Sequence, residues 1–272
     1  MPVYVITGVS KGIGYGFLKH LAPDPKNIIV GIVRDKAGTE KKVASELGEC
    51  PNVHILHGDL TDYSSLKQAA ADTEKIVGDE GVDVLIANAG FPSQFDAYDD
   101  IGGLGQWPEK IDEVSASLYQ INVTGNIHLI NLFMPLVMKG KIKKVFAISS
   151  GHGDLDLVNL AGIHTNALYG ASKAALNIIM AKFSVQYKND GVLFLSVSPG
   201  AIDVGHYDEV PPEKMAGMQE FMSRMATYAP YFKGPVPVDE AIPLLLSLFE
   251  RASVQTGYAG AFVSQWGNKQ WL

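Results

Sequence analysis

Cysteine is nearly absent from this sequence, since Cys50 is the only one among 272 residues. A single thiol excludes an intramolecular disulfide and a cysteine-based metal site, and it is typical of a chain in a reducing compartment. We also expect no secretory leader, because Met1-Pro2 runs directly into an apolar segment without a basic region or a small-residue cleavage site. We therefore expect a cytoplasmic protein.

Long hydrophobic runs and an excess of positive charge are missing as well. The most apolar stretch, Ile127 to Met138, is too short to span a bilayer and contains a histidine, an asparagine and a proline. The formal net charge of −7 offers no basic footprint for nucleic acid or an anionic membrane. No linker or repeat divides the chain. These features predict one globular domain over residues 1–272 with a small-molecule partner.

What the sequence does contain is a regular alternation of short β-branched runs with longer helical patterns. The runs are VYVIT, NIIVGIV, NVHIL, VDVLIA, KKVFAIS and VLFLSVS, and the helical segments extend from about Gly12 to Leu21, Ala37 to Leu47, Ser64 to Val77, Ile111 to Val137 and Ala167 to Tyr187. Runs this apolar are typical of strands covered on both faces. The alternation predicts an α/β fold, a Rossmann-type doubly wound parallel sheet with right-handed crossovers. Ligands of such folds bind beyond the carboxyl ends of the strands.

The first predicted strand leads into TGVSKGIG (Thr7 to Gly14) and then into a helix. Glycines allow a sharp turn and a close approach to a pyrophosphate, and a helix N-terminus offers unpaired N–H groups and a positive dipole end. A glycine triplet alone is weak evidence, but its place at the first strand-to-helix junction favours a dinucleotide site. The residues expected at the cofactor in this loop are Gly8, Ser10, Lys11, Gly12, Ile13 and Gly14.

The end of the second predicted strand bears on the choice of cofactor. An acidic residue there is typical of a free ribose 2′-hydroxyl, whereas a 2′-phosphate requires a cation. Here the strand ends in Val33-Arg34, and Lys11 adds a second cation nearby. We therefore predict NADP(H) rather than NAD. Asp35, directly after Arg34, complicates this prediction, and the alternative is that both cations are solvated surface charges.

Polar and small residues also follow the third, fourth, fifth and sixth predicted strands, all at the same edge of the sheet. Those expected at the cofactor are Asp59, Leu60, Asn88, Ala89, Gly90, Pro199, Gly200 and Ile202. Ser149 and Ser150 follow the fifth strand, and Tyr169 and Lys173 stand at i and i+4 on one face of a predicted helix. An isolated Tyr/Lys pair is uninformative, but together with five such loops it indicates a reaction site.

The sequence resembles the short-chain dehydrogenases/reductases over nearly its whole length. Thr7 to Gly14 matches the family's TGxxxGxG motif, Asn88-Ala89-Gly90 its NAG motif, and Tyr169 with Lys173 its YxxxK motif. The resemblance implies a catalytic tetrad, which consists of Asn122, Ser150, Tyr169 and Lys173.

This tetrad implies a mechanism for a carbonyl reductase. The Lys173 ammonium would favour the phenolate of Tyr169 and hold the nicotinamide ribose, and Tyr169 would protonate the substrate oxygen as hydride arrives. Ser150 would hydrogen-bond that oxygen, and Asn122 would anchor a water that relays protons to Lys173. The structural alternatives are that Asn122 caps a local kink and that Ser150 ends its strand, in which case Ser149 is the other candidate.

Several segments depart from the family pattern. The interval from residue 151 to 167 is longer than usual, and Val204 replaces a threonine that commonly contacts the nicotinamide carboxamide. Residues 205–237 are expected to form a lid with a methionine-rich helix. Four acidic or histidine side chains in the long interval are possible metal ligands, but their spacing favours no metal. They are His152, Asp154, Asp156 and His164.

The closing segment, Gly257 to Leu272, resembles the tails of fungal ketoreductases and sniffer-like carbonyl reductases. Trp266 and Trp271 would anchor it over the site or at a subunit interface, and family members form homodimers or homotetramers. The expected activity is NADPH-dependent reduction of a bulky or aromatic ketone or aldehyde of secondary metabolism. The alternatives are a non-redox cyclase or dehydratase on the same scaffold, and an NADPH-sensing binding module.

Overall fold

A seven-stranded parallel sheet forms the centre of the protein in the computed structural model, which describes residues 1–205 and 210–272. Across the sheet the strands are β3 (Val53–His57), β2 (Ile28–Val33), β1 (Val3–Thr7), β4 (Val84–Ala87), β5 (Lys144–Ile148), β6 (Leu193–Ser198) and β9 (Phe262–Ser264). Every neighbouring pair is parallel. The order reverses between β1 and β4, which makes their carboxyl ends the switch point of a doubly wound sheet. The predicted single-domain Rossmann-type fold is confirmed.

The five predicted helices are all present, and the structure adds others. The described residues form α1 (Gly12–Leu21), α2 (Lys36–Leu47), α3 (Tyr63–Val77), α4 (Ile101–Leu104), α5 (Pro108–Tyr119), α6 (Gly125–Lys139), α7 (Leu155–Ala161), α8 (Ala167–Gln186), α9 (Met215–Tyr228) and α10 (Val238–Arg251). A π-helical turn, Gln120–Thr124, joins α5 and α6 into the single long helix that the sequence predicts. Helices α4, α7 and α10 were not predicted from the sequence, and α9 was predicted only from the spacing of its methionines. Two short strands, β7 (Ile202–Asp203) and β8 (Val236–Pro237), pair outside the main sheet.

Both faces of the sheet are covered by helices, which explains why its strands are continuously apolar. On one face α3, α6 and α8 bury residues such as Phe133, Met180 and Phe194. On the other face α1 and α10 stack Phe17 and Phe249, whose ring centroids lie 5.5 Å apart. Because the two layers hold the strands in register from both sides, the loops at the strand ends are carried on a rigid frame.

The continuous helix Pro108–Lys139 is long and apolar enough, by length and composition alone, to cross a membrane. It extends well beyond the short apolar stretch noted in the sequence. More than half of its most apolar window is buried inside the protein, and its side chains belong to the core under the sheet. Such burial is typical of a core helix.

A third apolar cluster, here called the tail cluster, lies outside the two main layers. Its buried members are Leu157, Ala161, Ile163, Met225 and Trp271. They come from α7 and the residues after it, from α9 and from the chain terminus. The long interval and the closing segment therefore pack against each other beside β9.

Candidate active site

The glycine loop between β1 and α1 has a backbone that only glycine accommodates easily. Gly8 has a φ of 77° and Gly12 a φ of 57°, both in the left-handed region. A side chain at Gly14 would collide with the carbonyl oxygen of Gly8. The loop therefore leaves the first turn of α1 bare, as a phosphate-binding cradle requires.

Thr7 joins the glycine loop to the segment that follows β4. Its hydroxyl oxygen accepts hydrogen bonds from the backbone N–H groups of Asn88 at 3.0 Å and Ala89 at 2.9 Å. The Asn88 side-chain amide donates in return to the Thr7 carbonyl at 2.8 Å. These bonds bring the loop that contains Gly8 together with Asn88 and Ala89, as the sequence predicts.

Arg34 and Lys11 are both exposed at the carboxyl edge of the sheet. No hydrogen bond or ion pair engages either side chain within the described residues. Asp35, by contrast, is engaged, because its carboxylate caps α2 and accepts from the Gly38 N–H at 2.9 Å. Asp35 therefore acts as a local N-cap, a role that the pattern of an acidic residue just before a helix could have revealed.

Asp59 and Leu60 follow β3 at the same edge. The Asp59 carboxylate accepts from the N–H and hydroxyl of Thr61, both at 2.9 Å. Leu60 is buried, and its backbone lies so close to Gly125 at the start of α6 that a side chain there would collide with it.

Asn122, Lys173 and Gly90 meet at the centre of the site. Asn122 lies in the π-helical turn and is fully buried. Its amide donates to the Phe91 carbonyl at 3.0 Å and accepts from the Phe91 N–H at 2.8 Å, so it holds the chain directly after Gly90. A side chain at Gly90 would lie 3.2 Å from Asn122 Oδ1 and 3.3 Å from Lys173 Nζ. Asn122 therefore lies in an irregular turn and holds the chain directly after Gly90 through both ends of its side-chain amide.

Lys173 is buried on α8, with a relative exposure of 5%. Its Nζ donates to the carbonyl oxygen of Ile148, the last residue of β5, at 2.9 Å. Burial lowers the pKa of Lys173 from 10.5 to about 8, so the side chain remains mainly protonated at pH 7. Its Nζ lies 5.7 Å from the centroid of the Tyr169 ring, one helical turn earlier. The Tyr/Lys pair thus faces the end of β5, where the predicted serine lies.

Ser150 follows β5 and is half-buried, whereas Ser149 is buried. Ser150 Oγ accepts from the His152 N–H at 3.3 Å. The His152 ring lies edge-on to Tyr169 with centroids 6.3 Å apart, and it stacks on Phe221 of α9 at 5.6 Å. Burial lowers the pKa of His152 to about 4, although the charge of Asp96 opposes this. The imidazole is therefore neutral near pH 7 and forms an aromatic wall beside the Tyr169 phenol.

The loop after β6 returns over the glycine loop. Pro199 is buried, Gly200 has a φ of 83°, and Ile202 is buried in β7. Val204 lies near Gly12, where an added side chain would be 3.4 Å from a Val204 methyl group. An apolar residue therefore stands at the position where a threonine was expected.

The long interval after Ser150 contains helix α7. Asp154 caps α7 through the Leu157 N–H at 2.9 Å and pairs with Lys269 of the closing segment at 2.5 Å. His164 lies 3.9 Å from Glu220 of α9. No group of three histidine, cysteine or acidic side chains converges among residues 1–205 and 210–272.

The segment expected to form a lid contains α9, which packs with the closing segment in the tail cluster. Residues 206–209 of the predicted lid lie outside the described residues. Of the four methionines in α9, Met225 is buried in the tail cluster, Met218 and Met222 are half-buried, and Met215 is exposed. Trp271 is buried in that cluster, whereas Trp266 is exposed and anchors nothing there.

Comparison with known proteins identifies the family. The profile of the short chain dehydrogenases matches residues 2–214. The chain belongs to the short-chain dehydrogenase/reductase family. It is 65% identical over 272 residues to the short-chain dehydrogenase/reductase iacC of Pestalotiopsis fici and 47% identical over 273 residues to the short chain dehydrogenase virK of Hypocrea virens. Both matches cover 100% of each chain.

Solved structures confirm the fold of this short-chain dehydrogenase/reductase. The NADPH-bound carbonyl reductase from chicken fatty liver superimposes with a TM-score of 0.76 at 23% identity and covers 98% of each chain. The carbonyl reductase Sniffer of Drosophila melanogaster gives a TM-score of 0.74 at 21% identity, over 98% of this chain and 97% of its own. The family predicted from the motifs is confirmed by the profile match and the curated relatives, and the structural neighbours include a Sniffer carbonyl reductase.

Sequence reasoning missed the contributions of Thr7, Asp96 and His152 to this short-chain dehydrogenase/reductase site. Thr7 lies inside the quoted motif, yet nothing local indicates its bonds to Asn88 and Ala89. His152 was weighed only as a metal ligand. Asp96 lies in an irregular loop without a motif, and its contact with α8 spans more than seventy positions.

Proposed function

We propose that this oxidoreductase reduces a ketone or aldehyde to an alcohol with NADPH as the hydride donor. The observation that carries the proposal is that the buried side chains of Lys173 and Asn122 both lie beside Gly90. Lys173 is one helical turn after Tyr169. A buried ammonium is costly, and a site that keeps one beside a phenol is suited to proton transfer.

The residues of the cradle fit a nicotinamide dinucleotide. The bare turn at Gly14 and the left-handed Gly8 would receive the pyrophosphate, and Lys173 would hold the nicotinamide ribose. The exposed cations Arg34 and Lys11, with Asp35 diverted into the α2 cap, support a 2′-phosphate and hence NADPH. The chicken carbonyl reductase described as NADPH-bound supports the same assignment. When bound, NADPH supplies the hydride.

The side chains of the protein would manage the charge that develops on the substrate oxygen. Tyr169 would donate its phenolic proton to that oxygen, and Ser150 would stabilise it with a hydrogen bond. The positive charge of Lys173 would lower the free energy of the resulting phenolate. Asn122 would fix the loop after Gly90 and hold a water for the return of the proton.

The substrate is proposed to be bulky or aromatic. His152 and Phe221 present stacked rings beside Tyr169, and the tail cluster supports α9, which carries Phe221. Aromatic faces of this kind bind planar apolar compounds well. Residues 205–237 are proposed to act as the lid over this pocket.

Assembly into a homodimer or homotetramer is part of the proposal. Ile178 and Val185 stand seven residues apart on α8 and are 62% and 75% exposed. An apolar stripe at this spacing suits a contact with a second copy of the chain. Light scattering of Ile178→Glu with Val185→Glu should give a smaller particle than the wild type, and an unchanged mass would contradict this contact.

The first experiment measures NADPH consumption against a panel that runs from small aldehydes to bulky aromatic ketones and quinones. Tyr169→Phe is assayed beside the wild type, with NADPH binding followed by fluorescence titration. We expect turnover by the wild type and none by the variant, while both bind NADPH. Binding without turnover of any carbonyl compound would instead favour the non-redox or sensing alternatives.

The cofactor preference is tested with Arg34→Glu. Replacing the cation by a carboxylate should reduce the preference for NADPH over NADH by about tenfold or more, because the 2′-phosphate then meets a like charge. Lys26→Glu makes the same charge change just before β2, at the opposite end of that strand, and should leave the preference unchanged. An unaltered preference in Arg34→Glu would refute the assignment of NADP(H).

A further inference from the structure

The helix that carries Tyr169 and Lys173 lacks a cap of its own. Its N-cap residue, Asn166, has a φ of 55° and a ψ of 34°, and its side chain makes no bond to the first turn. That side chain donates instead to the carbonyl oxygen of Ala97 at 2.9 Å. A left-handed asparagine is an uncommon conformation that persists when surrounding contacts hold it.

Asp96 supplies the missing acceptor from a distant loop. Its Oδ2 accepts from the N–H groups of Leu168 at 2.8 Å and of Tyr169 at 3.1 Å. Its backbone carbonyl accepts from the Asn166 N–H at 2.8 Å. Together with the bond from Asn166 to Ala97, four hydrogen bonds join this short loop segment to the start of α8.

This cap differs by its burial from the exposed cap of α3. Asp62, which caps α3 through the N–H groups of Ser64 and Ser65, is exposed and adjacent to its helix. Asp96 is fully buried, and its Oδ1 has no hydrogen-bond partner within the described residues. A buried carboxylate with an unpaired oxygen is costly, so a cap needed only for helix stability would be better made locally.

The placement of the loop explains what this arrangement achieves. The segment begins at Phe91, which directly follows Gly90 and whose N–H donates to Asn122 Oδ1. It ends at Asp96, whose carboxylate accepts from the Tyr169 N–H. It therefore spans from the predicted nicotinamide side of the site to the backbone of the proposed acid. A carboxylate at the helix N-terminus also interacts favourably with the helix dipole, which strengthens the contact between Asp96 and α8.

We propose that Asp96 is a positioning residue, which holds the first turn of α8 to the loop after β4 and thereby aims the Tyr169 phenol at the substrate oxygen. The inference rests on the proposed role of Tyr169 as the acid. Asp96 touches no reacting atom, and it acts through the backbone N–H of Tyr169 itself.

The test compares Asp96→Ala, Asp96→Asn and the control Asp62→Ala, using a substrate found in the panel described above. In Asp96→Ala we expect kcat to fall by about tenfold or more while the NADPH Kd stays within about twofold, because geometry at the acid is lost but the cofactor cradle is intact. Asp96→Asn should recover most of kcat, because an amide oxygen can accept the same two N–H groups. Asp62→Ala should lower Tm without lowering kcat.

Three outcomes would overturn the inference: an unchanged kcat in Asp96→Ala, an Asp96→Asn no better than Asp96→Ala, or an equal loss of kcat in Asp62→Ala. If Asp96→Ala does not fold, the inference is decided by Asp96→Ser, which keeps a short acceptor and should retain intermediate kcat, with wild-type or absent turnover counting against it. Tyr169→Phe in the same assay distinguishes a failure of the proposed function from a failure of the role given to Asp96. Turnover by Tyr169→Phe would refute the proposed function, whereas an inactive Tyr169→Phe beside a fully active Asp96→Ala would refute only the role of Asp96.

Discussion

The buried ammonium of Lys173 lowers the free energy of unfolding of the protein. Its ammonium is buried, and burial lowers its pKa from 10.5 to about 8. Because the unfolded chain holds this proton more tightly than the native protein does, protonated Lys173 destabilises the native state at neutral pH. At about 1.36 kcal/mol for each pKa unit, the cost at pH 7 is about 3 kcal/mol.

Replacing Lys173 by methionine should therefore stabilise the protein while abolishing its activity. Methionine keeps the unbranched apolar stem and removes the charge. The variant loses the 2.9 Å hydrogen bond to Ile148, and leaving that carbonyl unpaired costs about 1 kcal/mol. We expect the cofactor-free variant to gain about 2 kcal/mol at pH 7, measured by urea unfolding with tryptophan fluorescence, and to show no carbonyl reduction.

The pH dependence separates the effect of charge from that of packing. The cost of the buried ammonium is complete below about pH 8, shrinks as the pH rises and vanishes above the unfolded pKa of 10.5. The advantage of Lys173→Met should therefore fall by about 2 kcal/mol between pH 7 and about pH 9.5. Lys182→Met makes the same change at an exposed position of α8 and should show no such dependence. A Lys173→Met variant that is less stable than the wild type at pH 7, or whose gain is independent of pH, would refute the reasoning.

Two other residues beside the site give further predictions. His152 has its pKa lowered by burial to about 4 from 6.5, so the native state excludes the proton and should lose up to about 3 kcal/mol as the pH falls from about 6.5 to about 4. His152→Phe preserves the stack on Phe221, and it should make the free energy of unfolding by urea less dependent on pH in this range. An equally steep pH dependence in the variant would contradict the lowered pKa of His152. Trp271 is 2% exposed in the tail cluster, and Trp271→Ala should lower the free energy of unfolding by about 3 kcal/mol or more through the cavity it leaves. Because that cluster supports α9, the KM for the substrate should rise in this variant while the NADPH Kd is unchanged. An unchanged KM would mean that the closing segment contributes to packing alone.

The positions of the main elements were predictable because their signals are local. The apolar runs of β1, β2 and β4 follow from burial on both faces, and α1 begins at Gly12 as its glycine loop indicates. The cap of α2 by Asp35 was equally local, but the sequence analysis considered that residue only as a ribose ligand. Helix α7 was missed because its few apolar residues face the tail cluster, whose existence depends on distant partners. Helix α10 was missed although Ile242, Leu245 and Phe249 recur at helical spacing.

By itself, then, the sequence determined a doubly wound parallel sheet, a glycine loop at its switch point and a tyrosine and lysine one turn apart, since periodicity and spacing need only neighbouring residues. Only the tertiary structure decided that Thr7 binds the segment after β4, that Trp271 packs with α7 and α9, and that Asp96 caps the helix of Tyr169. Each of these contacts joins residues tens of positions apart, and one acceptor or one buried ring leaves no periodic trace in a chain. They form because buried donors and apolar surfaces must find partners wherever the fold brings them.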